Sequence, residues 1–141
     1  MEINLDRYLL AHNKMYIEAL EEVREGEKRG HWMWYIFPQI KGLGQSSMAK
    51  YYEIKNKEEA IAYIEEPVLR NHLLEITEEL LKTNIQDIEE LFCYPDDLKL
   101  QSCMTLFYLV SKNEIFKKVI DKFFNGSLDE KTIKILSEMK N

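Results

Sequence analysis

The residues that could do chemistry are concentrated between His31 and Ser47, where the chain reads HWMWYIFPQIKGLGQSS. His31 follows a basic pair and precedes two tryptophans, and an imidazole in that setting can act as a general acid or base near neutral pH. The alternative is a histidine that hydrogen-bonds a backbone carbonyl and packs beside an aromatic ring. His31 is therefore the one catalytic candidate in this stretch.

Trp32 and Trp34 are separated by a single residue. Their side chains would share one side of an extended strand, whereas on a helix they would diverge by about 200°. At least one of them is expected to anchor the core, as large aromatic side chains do in small domains. The other, assigned here to Trp34, is a candidate to stack on the base or sugar of a ligand. The sequence leaves open whether residues 31–37 are helical or extended.

The second half of the stretch has the ingredients of an anion site. Gly42 and Gly44 allow the backbone to turn before a helix that is predicted to begin near Ser46, and Lys41 adds a positive charge. Gln39 offers both a donor and an acceptor. A flexible turn before an ordinary capped helix explains the glycines equally well, because their spacing matches neither a Walker loop nor a dinucleotide-binding fingerprint.

A second polar group opens the helix predicted from about residue 97, in the stretch DDLKLQSCMTLF. Lys99 and Ser102 could reach into a cleft beside the aromatic residues, and a solvated helix face is the alternative. His12, His72 and Cys103 lie on apolar helix faces, which favours a satisfied core histidine at position 12 and a buried thiol. The histidines and cysteines show no metal-ligand spacing, so neither a metal nor another cofactor is expected.

The charge of the chain is distributed unevenly. The formal net charge is -6, yet residues 24–57 contain seven basic and three acidic side chains. A local positive field in an acidic protein attracts small anions, although solvated surface lysines give the same pattern. The negative net charge of the chain disfavours a general nucleic-acid-binding protein, which normally presents a basic surface.

Helices must position these residues. At 141 residues the chain fits a single domain, 1–141, and its three prolines and five glycines fall between segments of helical apolar spacing. We therefore predict an all-α, single compact domain of about seven helices, with an irregular or short extended aromatic segment at residues 31–45. The acidic N-terminus lacks a signal-peptide pattern and the apolar runs are short, which favours a cytoplasmic protein without membrane contact.

Three stretches carry a resemblance to a known family. They are KRGHWMWYIFPQIKGLGQS at 28–46, YYEI at 51–54 with EAIAYIEEPVL at 59–69, and DDLKLQSCMTLFYL at 96–109. The chain thus resembles the small, mostly bacterial proteins described as domain of unknown function 1810, some of them mislabelled calpastatin. The resemblance implies a single, mainly α-helical domain and brings no established reaction. Those proteins commonly have Gln where this chain has His12, and Ser where it has Gly30 or Cys103, which argues against a mechanism that requires His12 or the thiol.

Two classes of function remain. The first is a pocket for a small anionic metabolite, such as a nucleotide or nucleotide-sugar, with hydrolysis or group transfer as the reaction if the protein is an enzyme. Its expected ligand-binding residues are Trp34, Gln39, Lys41, Gly42, Gly44, Ser46, Lys99 and Ser102, and His31 is the acid-base candidate. The second is a non-enzymatic interaction module whose aromatic segment forms a homodimer or partner interface, where tryptophan and tyrosine are enriched. The sequence does not decide whether the protein is an enzyme.

Overall fold

The structure is a computed structural model that describes residues 3–139. Helices account for all regular secondary structure of these residues. The helices are α1 Asp6–Glu25, α2 Met33–Ile36, α3 Ser47–Tyr52, α4 Lys57–Glu65, α5 Pro67–Lys82, α6 Asp96–Ser111, α7 Glu114–Phe124 and α8 Glu130–Glu138, with a turn of 3-10 helix at Ile88–Glu90. The all-α prediction is confirmed. Within residues 3–139, no helix combines the length and the apolar character that a membrane crossing requires.

Side-chain caps explain where two of the helices begin. The Ser46 hydroxyl accepts a hydrogen bond from the Ala49 amide at 3.1 Å, and the Asn56 side chain accepts one from the Glu59 amide at 2.9 Å. Each bond satisfies one of the free N–H groups in a first helical turn. At the other end of a helix, Gly26 follows α1 with a left-handed φ of 82°, which glycine adopts without steric penalty. The sequence predicted the start of α3 near Ser46.

Two helix pairs form the centre of the molecule. α1 packs on α5 and α6 packs on α7, while α4 and α7 link the two pairs. α8 lies on α6, and α2 lies between α1 and α3. The largest fully buried side chains are aromatic, namely Trp32, Tyr8, Tyr63, Phe37, Phe92, Phe107 and Phe116. Because such side chains bury about 150–250 Å² each, they dominate the energetics of the core.

The aromatic segment contains one helical turn. In α2 the Phe37 N–H donates to the Met33 carbonyl at 3.1 Å, and the residues that follow are irregular, as predicted. Trp32 is fully buried, whereas Trp34 is only partly buried at the edge of the core. The turn therefore answers the question that the sequence left open for residues 31–37, and one of the two tryptophans anchors the core as expected.

A buried carboxylate fixes the entry into α2. Glu22 Oε1 accepts hydrogen bonds from the Arg29 amide at 2.7 Å, the Gly30 amide at 2.9 Å and the Trp32 indole at 2.9 Å. Burial alone would raise the pKa of Glu22, but these donors outweigh it, and the pKa lies below its usual value. Gly30 belongs to the same arrangement, because a Cβ there would lie 2.9 Å from Trp32 Cδ1.

We expect Glu22→Gln to destabilise the protein by about 1–3 kcal/mol near neutral pH, because a neutral amide oxygen replaces a charge that accepts three hydrogen bonds. Because the pKa of Glu22 is lower in the folded state, its charge stabilises the fold at pH values above the unfolded-state pKa of about 4.3. This contribution is lost as the pH falls through the folded-state pKa. Urea denaturation should therefore show a difference in the free energy of unfolding between wild type and variant, and this difference should become smaller at acid pH. The exposed Glu18 of α1 gives the control Glu18→Gln, and a difference independent of pH would contradict this account.

Candidate functional site

A groove of about 570 Å³ separates residues 39–49 from the start of α6 and the chain that leads into α8. One wall includes Gln39, Gly44 and Ser46, and the other includes Lys99 and Ser102. A smaller hollow adjoins the groove and shares Gln39, Gly44 and Lys99 with it. The volume falls within the range of small-molecule sites, about 300–1,000 Å³.

Six of the eight predicted ligand-binding residues line the groove or the hollow. They are Trp34, Gln39, Gly44, Ser46, Lys99 and Ser102. Lys41, Gly42 and His31 do not line either space. His31 is exposed, and its backbone carbonyl accepts a hydrogen bond from the Tyr35 hydroxyl at 3.4 Å. The structure therefore does not bring the acid-base candidate to the groove.

Two backbone amides of the loop, those of Lys41 and Gly42, are used within the protein. The Lys41 N–H donates to the Ile54 carbonyl and the Ile54 N–H donates to the Gln39 carbonyl, both at 2.8 Å, so that Ile40 and Ile54 form an isolated parallel bridge. The Gly42 N–H points to a carboxylate oxygen of the Glu53 side chain at 3.4 Å. These two amides are therefore not free to bind a ligand.

Gly44 serves close packing. A Cβ on Gly44 would lie 2.4 Å from the Cβ of Ala49, which is far inside the normal contact distance between two carbon atoms. The absence of a side chain lets the loop lie directly on the first turn of α3. Because both residues line the groove and the hollow, this contact sets the shape of the site.

The opposite wall is held by polar side chains of α6. Gln101 Nε2 donates to the Ser127 carbonyl at 2.8 Å, and Thr105 Oγ1 accepts a hydrogen bond from the Asp129 amide at 2.9 Å. Ser102 Oγ donates to Asp129 Oδ2 at 3.0 Å. Asp129 Oδ2 also accepts hydrogen bonds from the Thr132 amide at 3.2 Å and from the Thr132 hydroxyl at 2.6 Å. Because three donors converge on it, the negative charge of Asp129 is partly compensated.

Two ammonium groups lie at the groove, on Lys99 and Lys131. Lys99 Nζ is 3.3 Å from Asp96 Oδ1 and 5.9 Å from the centre of the Trp34 ring. Asp96 also pairs with Lys28 at 3.1 Å, so one carboxylate is shared between two cations. Lys131 is exposed and forms no ion pair within the described residues.

The other aromatic side chains of the segment belong to the core. Trp32, Tyr35 and Phe37 are 0%, 6% and 1% exposed. Trp32 and Phe37 both meet the ring of Phe92 edge to face, with centroids 5.8 and 5.9 Å apart. The segment presents His31 and part of Trp34 at the surface, which leaves little aromatic area for the alternative interface.

Sequence reasoning missed a histidine pair. His12 of α1 and His72 of α5 meet through their Nδ1 atoms at 2.9 Å, and His12 Nε2 lies 2.8 Å from the Tyr35 carbonyl. Burial lowers the pKa of His12 to about 4, and the prediction of a satisfied core histidine is confirmed. The apolar helix faces that carry both residues were the available signal, but their pairing depends on how α1 packs on α5.

Fold and site together define a class of protein: a small all-α domain with a polar groove between a glycine-containing loop and the starts of two helices. The chain belongs to the family described as "Protein of unknown function (DUF1810)", which matches residues 2–136. It is similar to the crystal structure of the conserved hypothetical protein Rv1873 from Mycobacterium tuberculosis, with 41% identity, a TM-score of 0.93, and coverage of 96% of this chain and 97% of that chain. No curated protein matches the chain significantly.

We expect Gly44→Ala to lower the thermal stability, because the added methyl group overlaps Ala49 and overpacking of this kind costs about 1–3 kcal/mol. Ala49→Gly removes the atom that the new methyl group would meet. The double variant should therefore be more stable than the sum of the two single changes predicts. Thermal denaturation of the four proteins measures this coupling, and strict additivity would show that another contact requires the glycine.

Proposed function

We propose that the groove binds a small anionic metabolite, with a nucleotide or nucleotide-sugar as the expected class. One observation carries this proposal: Gln39, Gly44 and Ser46 converge with Lys99 and Ser102 on a groove of about 570 Å³. Two segments that are distant in the chain thus supply an amide, hydroxyls and an ammonium group to one space. Convergent polar groups in a concave site are typical of ligand recognition.

The charges near the groove favour a ligand with negative charge. In the basic segment at residues 24–57, Arg24, Lys28 and Arg29 are paired with acidic side chains. Four other lysines of the segment form no ion pair within the described residues, namely Lys41, Lys50, Lys55 and Lys57. They lie in or directly after the chain that forms the loop wall. Uncompensated charges of one sign raise the local concentration of ligands of the opposite sign.

The hollow beside the groove has a volume of about 10 Å³, so the ring of a ligand that also carries a phosphate would lie across its mouth and not inside it. Trp34 and Lys99 both line it, so an indole and an ammonium group are available side by side. Stacking of a base on an aromatic side chain contributes about 1–3 kcal/mol. Gln39 lines both spaces and can donate to or accept from the ligand.

The proposed function is binding, without an assigned reaction. The Ser102 hydroxyl donates to Asp129 Oδ2, which the Thr132 amide and hydroxyl also bind, and none of the described histidines lines the groove to take its proton. His31 lies outside the groove lining. Hydrolysis or group transfer by His31 would need the imidazole to reach the groove, and we assign it no step.

Calorimetric titration with AMP, UDP-glucose and ADP-ribose tests the proposal, with inorganic phosphate as the reference for a charge effect alone. At least one nucleotide should bind more tightly than phosphate and raise the melting temperature, because a ligand that binds only the native state stabilises it. The pair Lys99→Gln and Lys131→Gln should weaken that binding by about tenfold or more, since hydrogen bonds to charged groups contribute about 1.5–3 kcal/mol each.

Lys41→Gln is the matched control for this experiment. Lys41 belongs to the same loop, is exposed and does not line the groove, so its variant should lose only a share of the local positive field and weaken binding far less than the pair does. Binding that is weakened equally in the control would indicate general charge attraction. The absence of binding for all three nucleotides would overturn the proposal.

A further inference from the structure

A second groove, of about 670 Å³, lies over α1 and α5 and includes His72. Its other lining residues are Asp6, Leu9, Leu10, Asn13 and Val68. A neighbouring hollow of about 350 Å³ shares Asp6 and Leu9 with the groove and adds Glu66. Within the described residues, neither space is lined by a lysine or an arginine.

The hydrogen bonds of the histidine pair determine which ring nitrogens carry hydrogen. The Tyr35 carbonyl can only accept, so the hydrogen of its 2.8 Å bond to His12 lies on Nε2. In the neutral ring, His12 Nδ1 is then an acceptor, and His72 Nδ1 must donate across the 2.9 Å contact. His72 Nε2 is consequently left with an unprotonated lone pair.

This lone pair is accessible. His72 Nε2 forms no hydrogen bond with the described residues, and the buried side-chain atoms without a partner among them are Thr77 Oγ1 and Asp97 Oδ1. His72 Nε2 is therefore not fully buried, and His72, which is half-buried, lines the groove. The Tyr16 ring lies parallel to the imidazole, with centroids 3.6 Å apart, and holds its plane.

Three carboxylates lie on the chain segments near the imidazole. Asp6 lies in the groove and Glu66 in the adjoining hollow. Glu75 is one helical turn beyond His72 and accepts a hydrogen bond from the Tyr16 hydroxyl at 2.5 Å. A neutral acceptor nitrogen beside carboxylates and apolar side chains matches a cation that donates hydrogen bonds.

We propose that this groove binds a small amphipathic amine. Its ammonium group donates to His72 Nε2 near Asp6, and its apolar part lies on Leu9, Leu10 and Val68. His12 acts through His72 as a positioning residue, because its acceptor nitrogen keeps the His72 hydrogen on Nδ1. The site has a charge preference opposite to that of the anion groove, and it stands independently of the function proposed above.

Nuclear magnetic resonance of the histidine ring nitrogens tests the proposal on the full chain, with phenethylammonium as the probe. Before the amine is added, His72 should be the tautomer with hydrogen on Nδ1. The amine should shift the His72 Nε2 resonance and leave the exposed His31 unchanged. The anion 3-phenylpropanoate, which has the same apolar part, should shift neither.

Variants separate the ligand contacts from the positioning contact. Asp6→Asn and His72→Leu should each weaken amine binding by about tenfold or more, because the first removes a negative charge and the second removes the acceptor nitrogen. Glu89→Gln removes an exposed carboxylate of the 3-10 helix and should leave binding unchanged.

His12→Gln keeps a donor for the Tyr35 carbonyl and an acceptor for His72, so it should preserve both the tautomer and amine binding. His12→Phe removes both groups and should allow His72 to populate the other tautomer and weaken binding. If His12→Phe fails to fold, His12→Gln still tests the positioning role, since loss of amine binding in that variant with an intact fold would contradict it. Equal binding of amine and propanoate, an unmoved His72 resonance at millimolar amine, or hydrogen on His72 Nε2 in the free protein would overturn the proposal.

Discussion

The arrangement of the whole aromatic segment depends on one buried carboxylate, that of Glu22. Its oxygen gathers the Arg29 and Gly30 amides and the Trp32 indole just before α2 begins. A buried charge without such donors would be strongly unfavourable, so few other paths of this loop are accessible. The indole bond decides that Trp32 enters the core. The single turn of α2 then places Trp34 at the hollow beside the groove.

Residues of α2 contact both grooves or their supporting side chains. Trp34 lies in the hollow next to Lys99, while the carbonyl of the next residue, Tyr35, accepts the hydrogen bond that orients His12. The Tyr63 hydroxyl donates to this carbonyl at 3.2 Å and ties the turn to α4. The two grooves therefore share one backbone support, and a displacement of α2 would alter both of them.

Periodicity predicted the helices other than α2, because apolar spacing, caps and glycine stops are local properties of the chain. It also predicted that one tryptophan would be buried and that Ser46 would cap a helix. The grouping of Gln39 and Ser46 with Lys99 followed from their chemical types, and the packing of α6 was needed to bring them together. The hydrogen bonds of the Lys41 and Gly42 amides could not be predicted from the sequence, because their partners, Ile54 and Glu53, lie on the far side of α3 in the chain. Partnerships between distant segments, such as that of His12 and His72, depend on tertiary packing alone.

The bridge between Ile40 and Ile54 has a consequence for how such a domain can vary. Both isoleucines are fully buried, and two hydrogen bonds of 2.8 Å hold the ends of the loop that contains α3. The entropy of closing a loop rises only slowly with its length, so insertions between these anchors disturb the helix pairs little. This loop, with α3, forms one wall of the groove. The shape and lining of this wall can therefore change within the anchored loop while the core that folds the protein stays the same.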